Sequence, residues 1–462
     1  MEDKLPLDKK ISEITFGDVI KLGKKFKRQQ GLKSELLSDF FEADLSQISN
    51  TTENLSAIQH AIRSALFMQY LNKTKYKIVQ AINIEGDYQY PFEYQEVETD
   101  PEVFVQGPND GILFLSSPDM KLAVEWANWT PEMSKYRMYY LSEDKAKALK
   151  FQADLKEYVQ VHNIFRGKKI TPELTHIKLE RAYTWDDIAL PTNIKQEIVK
   201  NVNLLLESVV VYEKNNISFK RGLILAGPPG TGKTLTGKIL CSNLKDVTFI
   251  WVTPGHIEAG ARAVKAICEM ARELAPTVLF LEDIDLYGAH RERARGEVLG
   301  ELMNQLDGIV SNEFVVTIAT TNRVEEVETA IRNRPGRFDR VLEVPIPDAE
   351  CRMKMLDMYT KDFLFAGLAG EKKAEFMKTL GEKTDGMTGA HIKELVNSAV
   401  LTAVEEKSLD KNYKIILKSK HFINNLELVA AKKITPAGFG AASDAGKRGL
   451  RSFHDFLDDE DM

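Results

Sequence analysis

The chain is poor in cysteine. Three occur in 462 residues, Cys241, Cys268 and Cys351, with no C-x-x-C pair and no histidine at zinc spacing. That scarcity argues against a disulfide framework or a structural metal, and it fits a reducing compartment. The three are read as small buried apolar side chains. No apolar run reaches the roughly 18 residues that a membrane helix needs, so no integral membrane segment is expected. The amino terminus, Met-Glu-Asp-Lys-Leu-Pro-Leu-Asp, is charged and lacks the apolar core of a signal peptide, which points to the cytoplasm. Charge of one sign is lacking too. Lys and Arg total 62 against 68 Asp and Glu, a net of -6, so no global field draws nucleic acid or an anionic membrane. Internal repeats are also absent.

What is present suits a soluble, multidomain chain. Apolar residues make up 43% and charged residues 28%, and the length suffices for about three domains. Residues 1–180 read as an α+β region. Apolar spacing predicts a helix over Leu55 to Leu71, strand-like alternation follows over Tyr76 to Ile84, and Ser142 to Val161 reads as one helix capped by Ser142. Gly107-Pro-Asn-Asp-Gly111 carries turn signals ahead of a strand at Ile112 to Leu115. Lys21-Leu-Gly-Lys-Lys-Phe-Lys-Arg28 is a basic cluster, read as a solvated helix face, with contact to phosphate or an acidic partner as the alternative. Nothing in this region carries catalytic chemistry.

From Arg221 the pattern changes. Leu223 to Ala226, Val247 to Val252, Val278 to Leu281 and Val315 to Ala319 are short apolar runs of the kind that form parallel strands buried on both faces. Helical spacing between them, as over Ala261 to Leu274, supplies the crossovers. After Pro345 strands are no longer expected. Met353 to Phe363, Lys372 to Leu380 and Ala390 to Glu405 read as helices, and residues 436–462, rich in Gly, Ala and Ser and ending in Leu-Asp-Asp-Glu-Asp-Met, as a flexible acidic tail.

Two motifs carry chemistry. Gly227-Pro-Pro-Gly-Thr-Gly-Lys-Thr234 matches the phosphate-binding loop G-x-x-x-x-G-K-[ST] in full. Its glycines let successive backbone N–H groups turn toward phosphate, and the helix that follows adds its positive end. Lys233 is placed to reach the β- and γ-phosphates of ATP, and the Thr234 hydroxyl to ligate Mg2+. Pro229, Gly230, Thr231, Gly232 and Leu235 complete the cradle. Val278-Leu-Phe-Leu-Glu-Asp-Ile-Asp285 then sets carboxylates at the end of a buried strand, where α/β sheets bind ligands. Chain order gives Glu282 the metal role and Asp283 the water role, and leaves Asp285 as a structural cap for the next segment.

These residues resemble the AAA+ ATPases over about Thr184 to Glu405. Trp185-Asp-Asp-Ile-Ala189 is similar to the segment that holds adenine in that family, which implies a nucleotide role for Asp187, Ile188 and Ala189. Asn322 matches the polar residue called sensor 1, which helps place the attacking water. Leu306-Asp-Gly-Ile309 resembles the intersubunit signalling segment, and Arg334-Pro-Gly-Arg-Phe-Asp-Arg340 the segment with the arginine fingers, here Arg334 and Arg337. The resemblance implies a P-loop AAA+ module at 181–345, a parallel sheet flanked by helices. A C-terminal α-helical lid follows at 346–435, and the α+β domain at 1–180 precedes the module. It further implies a homo-oligomeric ring, a hexamer or similar, that acts on a protein substrate through residues 1–180. An ATP-gated assembly scaffold is the alternative, and a nucleic-acid motor would rest on Lys21 to Arg28 alone.

Within the family, Ile188-Ala-Leu-Pro191, Tyr212 to Gly222 and the Glu282-Asp283 order resemble the branch of the mitochondrial Rieske-protein translocase and its soluble bacterial relatives. Two departures stand out. The segment matching the central pore loop, Pro254-Gly-His-Ile-Glu-Ala-Gly260, has no aromatic residue, and His256 in it is expected in solvent. In the lid, His391 stands where the family usually has an acid.

Overall fold

The structure is a computed structural model that describes residues 31–85, 88–130, 133–215, 220–287, 292–307, 314–323, 340–368 and 370–431. Arg334, Arg337, the basic cluster at 21–28 and the acidic tail lie outside the described residues. The chain forms two compact units. One runs through Phe165 and takes in Leu174–His176; the other comprises Arg166–Glu173 and the chain from Ile177 onward.

The first unit is built on an antiparallel sheet of seven strands. β1 (Ile48–Leu55), β7 (Met133–Leu141), β6 (Lys121–Thr130), β5 (Val103–Ser116), β2 (Lys77–Glu85) and β3 (Tyr88–Pro91) lie in that spatial order, and β4 (Glu93–Asp100) pairs with β5. The helix Ala57–Asn72 packs on one face beside the helix Lys145–Val161. Their core holds Phe67, Trp126, Tyr136 and Phe151, with the Trp126 and Tyr136 rings edge to face at 5.1 Å. The helix at residues 31–41 brings Leu37 and Phe41 against Ile82, Ile112 and Phe114 in a second core.

Two sequence expectations fail here. The turn signals at 107–111 lie inside the continuous strand β5. The glycines serve close approach instead: a Cβ on Gly107 would sit 2.2 Å from the Ser64 carbonyl oxygen, and one on Gly111 2.5 Å from that of Ile82. Ser142 is not the helix cap either, since Asp144 precedes the helix and the Ser142 hydroxyl donates to the Gln47 carbonyl at 2.8 Å.

The second unit contains a six-stranded, all-parallel sheet. Its order is β13 (Arg340–Glu343), β9 (Lys220–Ala226), β12 (Val315–Thr321), β11 (Thr277–Leu281), β10 (Thr248–Val252), β8 (Lys169–Ile170). β11 and β12 are buried at every position, as apolar runs without alternation require. Strand β12, the fifth of the six in chain order, inserts between β9 and β11. A helical region follows, with helices Ala349–Thr360, Glu371–Lys383, Gly389–Glu405 and Ser419–Ala431 around Phe376, Leu395 and Phe422. The expectation that strands stop after Pro345 is wrong in detail. β14 (Leu364–Phe365) and β15 (Ile416–Leu417) form a short parallel pair, too brief to leave a periodic signal. All three cysteines are free and buried, and burial pushes their thiols up to about 11 for Cys241 and Cys351 and about 12 for Cys268, so they are poor nucleophiles.

Candidate functional site

Parallel strands point their carboxyl ends to one edge of the sheet. Three adjacent ones, β9, β12 and β11, deliver to that edge the phosphate-loop motif, Asn322 and the acidic pair. The loop after β9 turns through two left-handed glycines, Gly230 (φ 79°) and Gly232 (φ 100°), before the helix Lys233–Asn243 begins. Neither position has room for a side chain. A Cβ on Gly230 would come within 2.7 Å of Thr388 Oγ1 and the Ala390 Cβ, and one on Gly232 within 2.8 Å of Ile188 Cδ1. Inside the loop, the Thr231 hydroxyl donates to the Pro228 carbonyl at 2.9 Å, and Thr236 N–H and hydroxyl both reach the Gly232 carbonyl. Pro229 is exposed above the cradle.

Lys233 is 6% exposed, and its ammonium donates to the Gly227 and Pro228 carbonyls at 2.7 and 2.8 Å. Burial lowers its pKa to about 8, against the opposing pull of Asp283 and Asp285. Thr234 is exposed, and its hydroxyl donates to Glu282 Oε1 at 2.6 Å. The metal-side hydroxyl and carboxylate are therefore already in contact.

Asp283 adopts a left-handed backbone (φ 48°, ψ 58°), which aspartate tolerates better than most residues. Its N–H donates to Thr320 Oγ1 at 2.9 Å, and Oδ1 accepts from the Asn322 side-chain amide at 3.3 Å. Partial burial, reinforced by the charges of Asp285 and Glu282, raises its pKa above the ordinary aspartate value, while Lys233 and Asn322 oppose the shift. Asp285 joins the two strand ends. It is 7% exposed, and its carboxylate accepts from the Asn322 backbone N–H at 3.0 Å, which ties the ends of β11 and β12 together.

The candidate adenine segment lies beside the loop. Ile188 is buried with Tyr183 and Ile239, and Leu235 packs against them; Ala189 belongs to the core of the helical region. Asp187 has a local task. It accepts from the Thr184 N–H at 2.7 Å and pairs with Arg181 at 2.7 Å, the contact that chiefly lowers its pKa to about 2. The helical region reaches the loop directly, with Ala390 N–H donating to the Gly230 carbonyl at 3.3 Å. His391 closes the cap of its helix: Nδ1 accepts from the Thr388 N–H at 3.2 Å, a task often given to glutamate.

His256 is not a free solvent histidine. Nδ1 accepts from the Thr253 N–H at 2.9 Å, Nε2 lies 3.2 Å from Glu173, and the neighbouring Ile257 is 3% exposed. Motif reading missed Trp251, whose indole N–H donates to Glu282 Oε2 at 3.0 Å, and Thr320. A lone indole within an otherwise apolar strand was the available signal for Trp251.

The residues fit Mg2+ and a nucleoside triphosphate. A hydroxyl and a carboxylate meet at one point, a buried ammonium lies behind a glycine cradle that a single methyl group would fill, and a second carboxylate is held by an amide.

Comparison with known proteins agrees over this region. Residues 223–346 match the family described as the ATPase family associated with various cellular activities (AAA). The chain is 34% identical over 236 residues to the proteasome-activating nucleotidase of Pyrococcus horikoshii, covering 48% of this chain and 57% of that one. It is 33% identical over 267 residues to that of Methanopyrus kandleri, covering 55% and 58%. The chain thus spans somewhat over half the length of these relatives. Among the described residues, no helix is long and apolar enough to cross a membrane.

Proposed function

We propose that the chain hydrolyses ATP at this edge of the sheet, as a homo-oligomeric ring of six or a similar number of subunits that remodels a protein substrate recruited through residues 1–180. The observation that carries the reading is the meeting of Lys233, Thr234, Glu282, Asp283 and Asn322 at the ends of three adjacent parallel strands. Lys233 holds the β- and γ-phosphates, and Asp283, steadied by Asn322, orients the attacking water. Thr234 and Glu282 hold Mg2+, which when bound neutralises charge on the phosphate oxygens. Arg334 and Arg337 of a neighbouring subunit stabilise the charge that builds on the γ-phosphoryl oxygens, so the assembled ring is the active form. Release of phosphate frees the loop contact at Ala390 and moves the lid.

The relatives' name joins a nucleotidase to the proteasome, and the matched half of each supports carrying over the nucleotidase. Ile188 to Pro191 and the Glu282-Asp283 order support a place near the Rieske-protein translocase branch, without its membrane step. A cytoplasmic location goes with this reading.

One observation favours a second reading, an ATP-gated scaffold whose hydrolysis acts as a timer. The loop at 254–260 has no aromatic residue, its Ile257 is buried, and His256 is pinned, which leaves little to grip a threaded chain. Steady-state phosphate release by Lys233→Ala tests the first reading. A fall of at least about a hundredfold is expected, and an unchanged rate sinks it. Partner release that is equal with ATP and with a non-hydrolysable analogue would select the scaffold.

A further inference from the structure

Glu282 is held at both oxygens. Thr234 donates to Oε1 at 2.6 Å and Trp251 to Oε2 at 3.0 Å. The two donors differ in kind. A hydroxyl can donate to a carboxylate or turn its lone pairs to a metal ion, whereas an indole N–H only donates. Trp251 is itself fixed, half-buried in β10 between Phe249 and Phe280, with ring centroids 5.9 and 4.8 Å away. It pairs with Phe280 across the sheet, so it stands diagonally from Glu282, two residues further along the chain and just past the end of β11.

We infer that Trp251 is a positioning residue that sets metal selectivity, by turning one oxygen of Glu282 away from the ion and leaving a single oxygen beside Thr234. The inference rests on Glu282 being the metal-side carboxylate of the proposed ATPase. Mg2+ requires a compact, near-octahedral shell, which one carboxylate oxygen and a hydroxyl can serve. Ca2+ is larger and accepts a carboxylate through both oxygens. With Oε2 held by the indole, Glu282 is confined to the mode that suits Mg2+. Phenylalanine at 251 keeps the aromatic packing and removes the donor, so both oxygens can swing to the ion.

The test is binding of a fluorescent ATP analogue to the full chain in Mg2+, in Ca2+ and in EDTA, for the wild type, Trp251→Phe, Glu282→Asp and the double variant. Trp251→Phe is expected to lower the Mg2+-over-Ca2+ ratio of affinities by about tenfold, the worth of one hydrogen bond to a charged group, with EDTA binding unchanged. Aspartate at 282 is too short to span from Thr234 to the indole. Adding Trp251→Phe to it should therefore change the ratio little further, as one shared contact requires. A general packing defect would weaken binding alike in all three conditions and would overturn the inference. So would an unchanged ratio in a protein whose wild type does need metal. A wild type whose binding ignores metal altogether would overturn the site reading as well, so the two failures are distinguishable.

Discussion

The antiparallel unit at the amino terminus and the parallel-sheet unit that follows it in the chain both have buried apolar cores but place their polar groups differently. The parallel unit gathers its polar side chains at one sheet edge, where Thr234, Glu282, Asp283, Asp285 and Asn322 bond to one another. In the antiparallel unit the polar residues are dispersed, as ion pairs such as Lys33 with Glu125 and Arg63 with Glu53, while the centre is aromatic. Chemistry constrains the parallel unit residue by residue; shape constrains the antiparallel one. Tyr88, Tyr90, Tyr94, Val103 and Phe104 are exposed large side chains on β3, β4 and β5, a surface that the proposed recruitment of a protein substrate could use.

The contrast can be broken by mutation. Trp126→Ala in the antiparallel core should cost about 3–5 kcal/mol of stability, read as an earlier thermal transition, with ATP turnover at 25 °C within about twofold of wild type. A matching loss of turnover would mean that the ATPase depends on the frame of the other unit. Gly230→Ala should do the reverse. A methyl group there meets Thr388 and Ala390 on a left-handed backbone, so about 1–3 kcal/mol of strain is expected. Nucleotide affinity should fall roughly tenfold or more while the antiparallel unit's melting is unmoved; unchanged affinity would show that the loop and lid yield cheaply.

The smallest expected effect is in pH. Because its pKa is raised, Asp283 becomes protonated as pH falls while ordinary carboxylates are still charged. Only the carboxylate can take a proton from the attacking water, so turnover is lost as pH drops through that raised value and retained above it. Asn322→Ala removes a donor that favours the charged form, so the acid limb of turnover should move to higher pH. A shift to lower pH would contradict the Asn322 to Asp283 bond.

Much of the parallel sheet was legible because four of its six strands, β9 to β12, carry short apolar runs, whereas β8 (Lys-Ile) and β13 (Arg-Val-Leu-Glu) are too short and too polar to signal a buried strand. The phosphate loop was legible because glycine, lysine and threonine at fixed spacing have few other uses. The amino-terminal unit was harder. Gly107 and Gly111 look like a turn in sequence, and only the approach of Ser64 and Ile82 shows why glycine stands inside a strand. Thr320 was invisible as a site residue and Trp251 gave only the hint of a lone indole, because their partners come from neighbouring strands distant in the chain.

By itself the sequence determined the phosphate loop, the acidic strand end and the parallel α/β class, since these depend on residue type at short spacing. Tertiary structure decided what the polar groups do there. It placed β12 between β9 and β11, which sets Asn322 against Asp283 and gives Asp285 the Asn322 backbone to hold. It turned His391 and His256 into caps, and it brought an indole to the far oxygen of Glu282. Each of these is a hydrogen bond, and its geometry exists only once the strands or turns that carry both partners are in register.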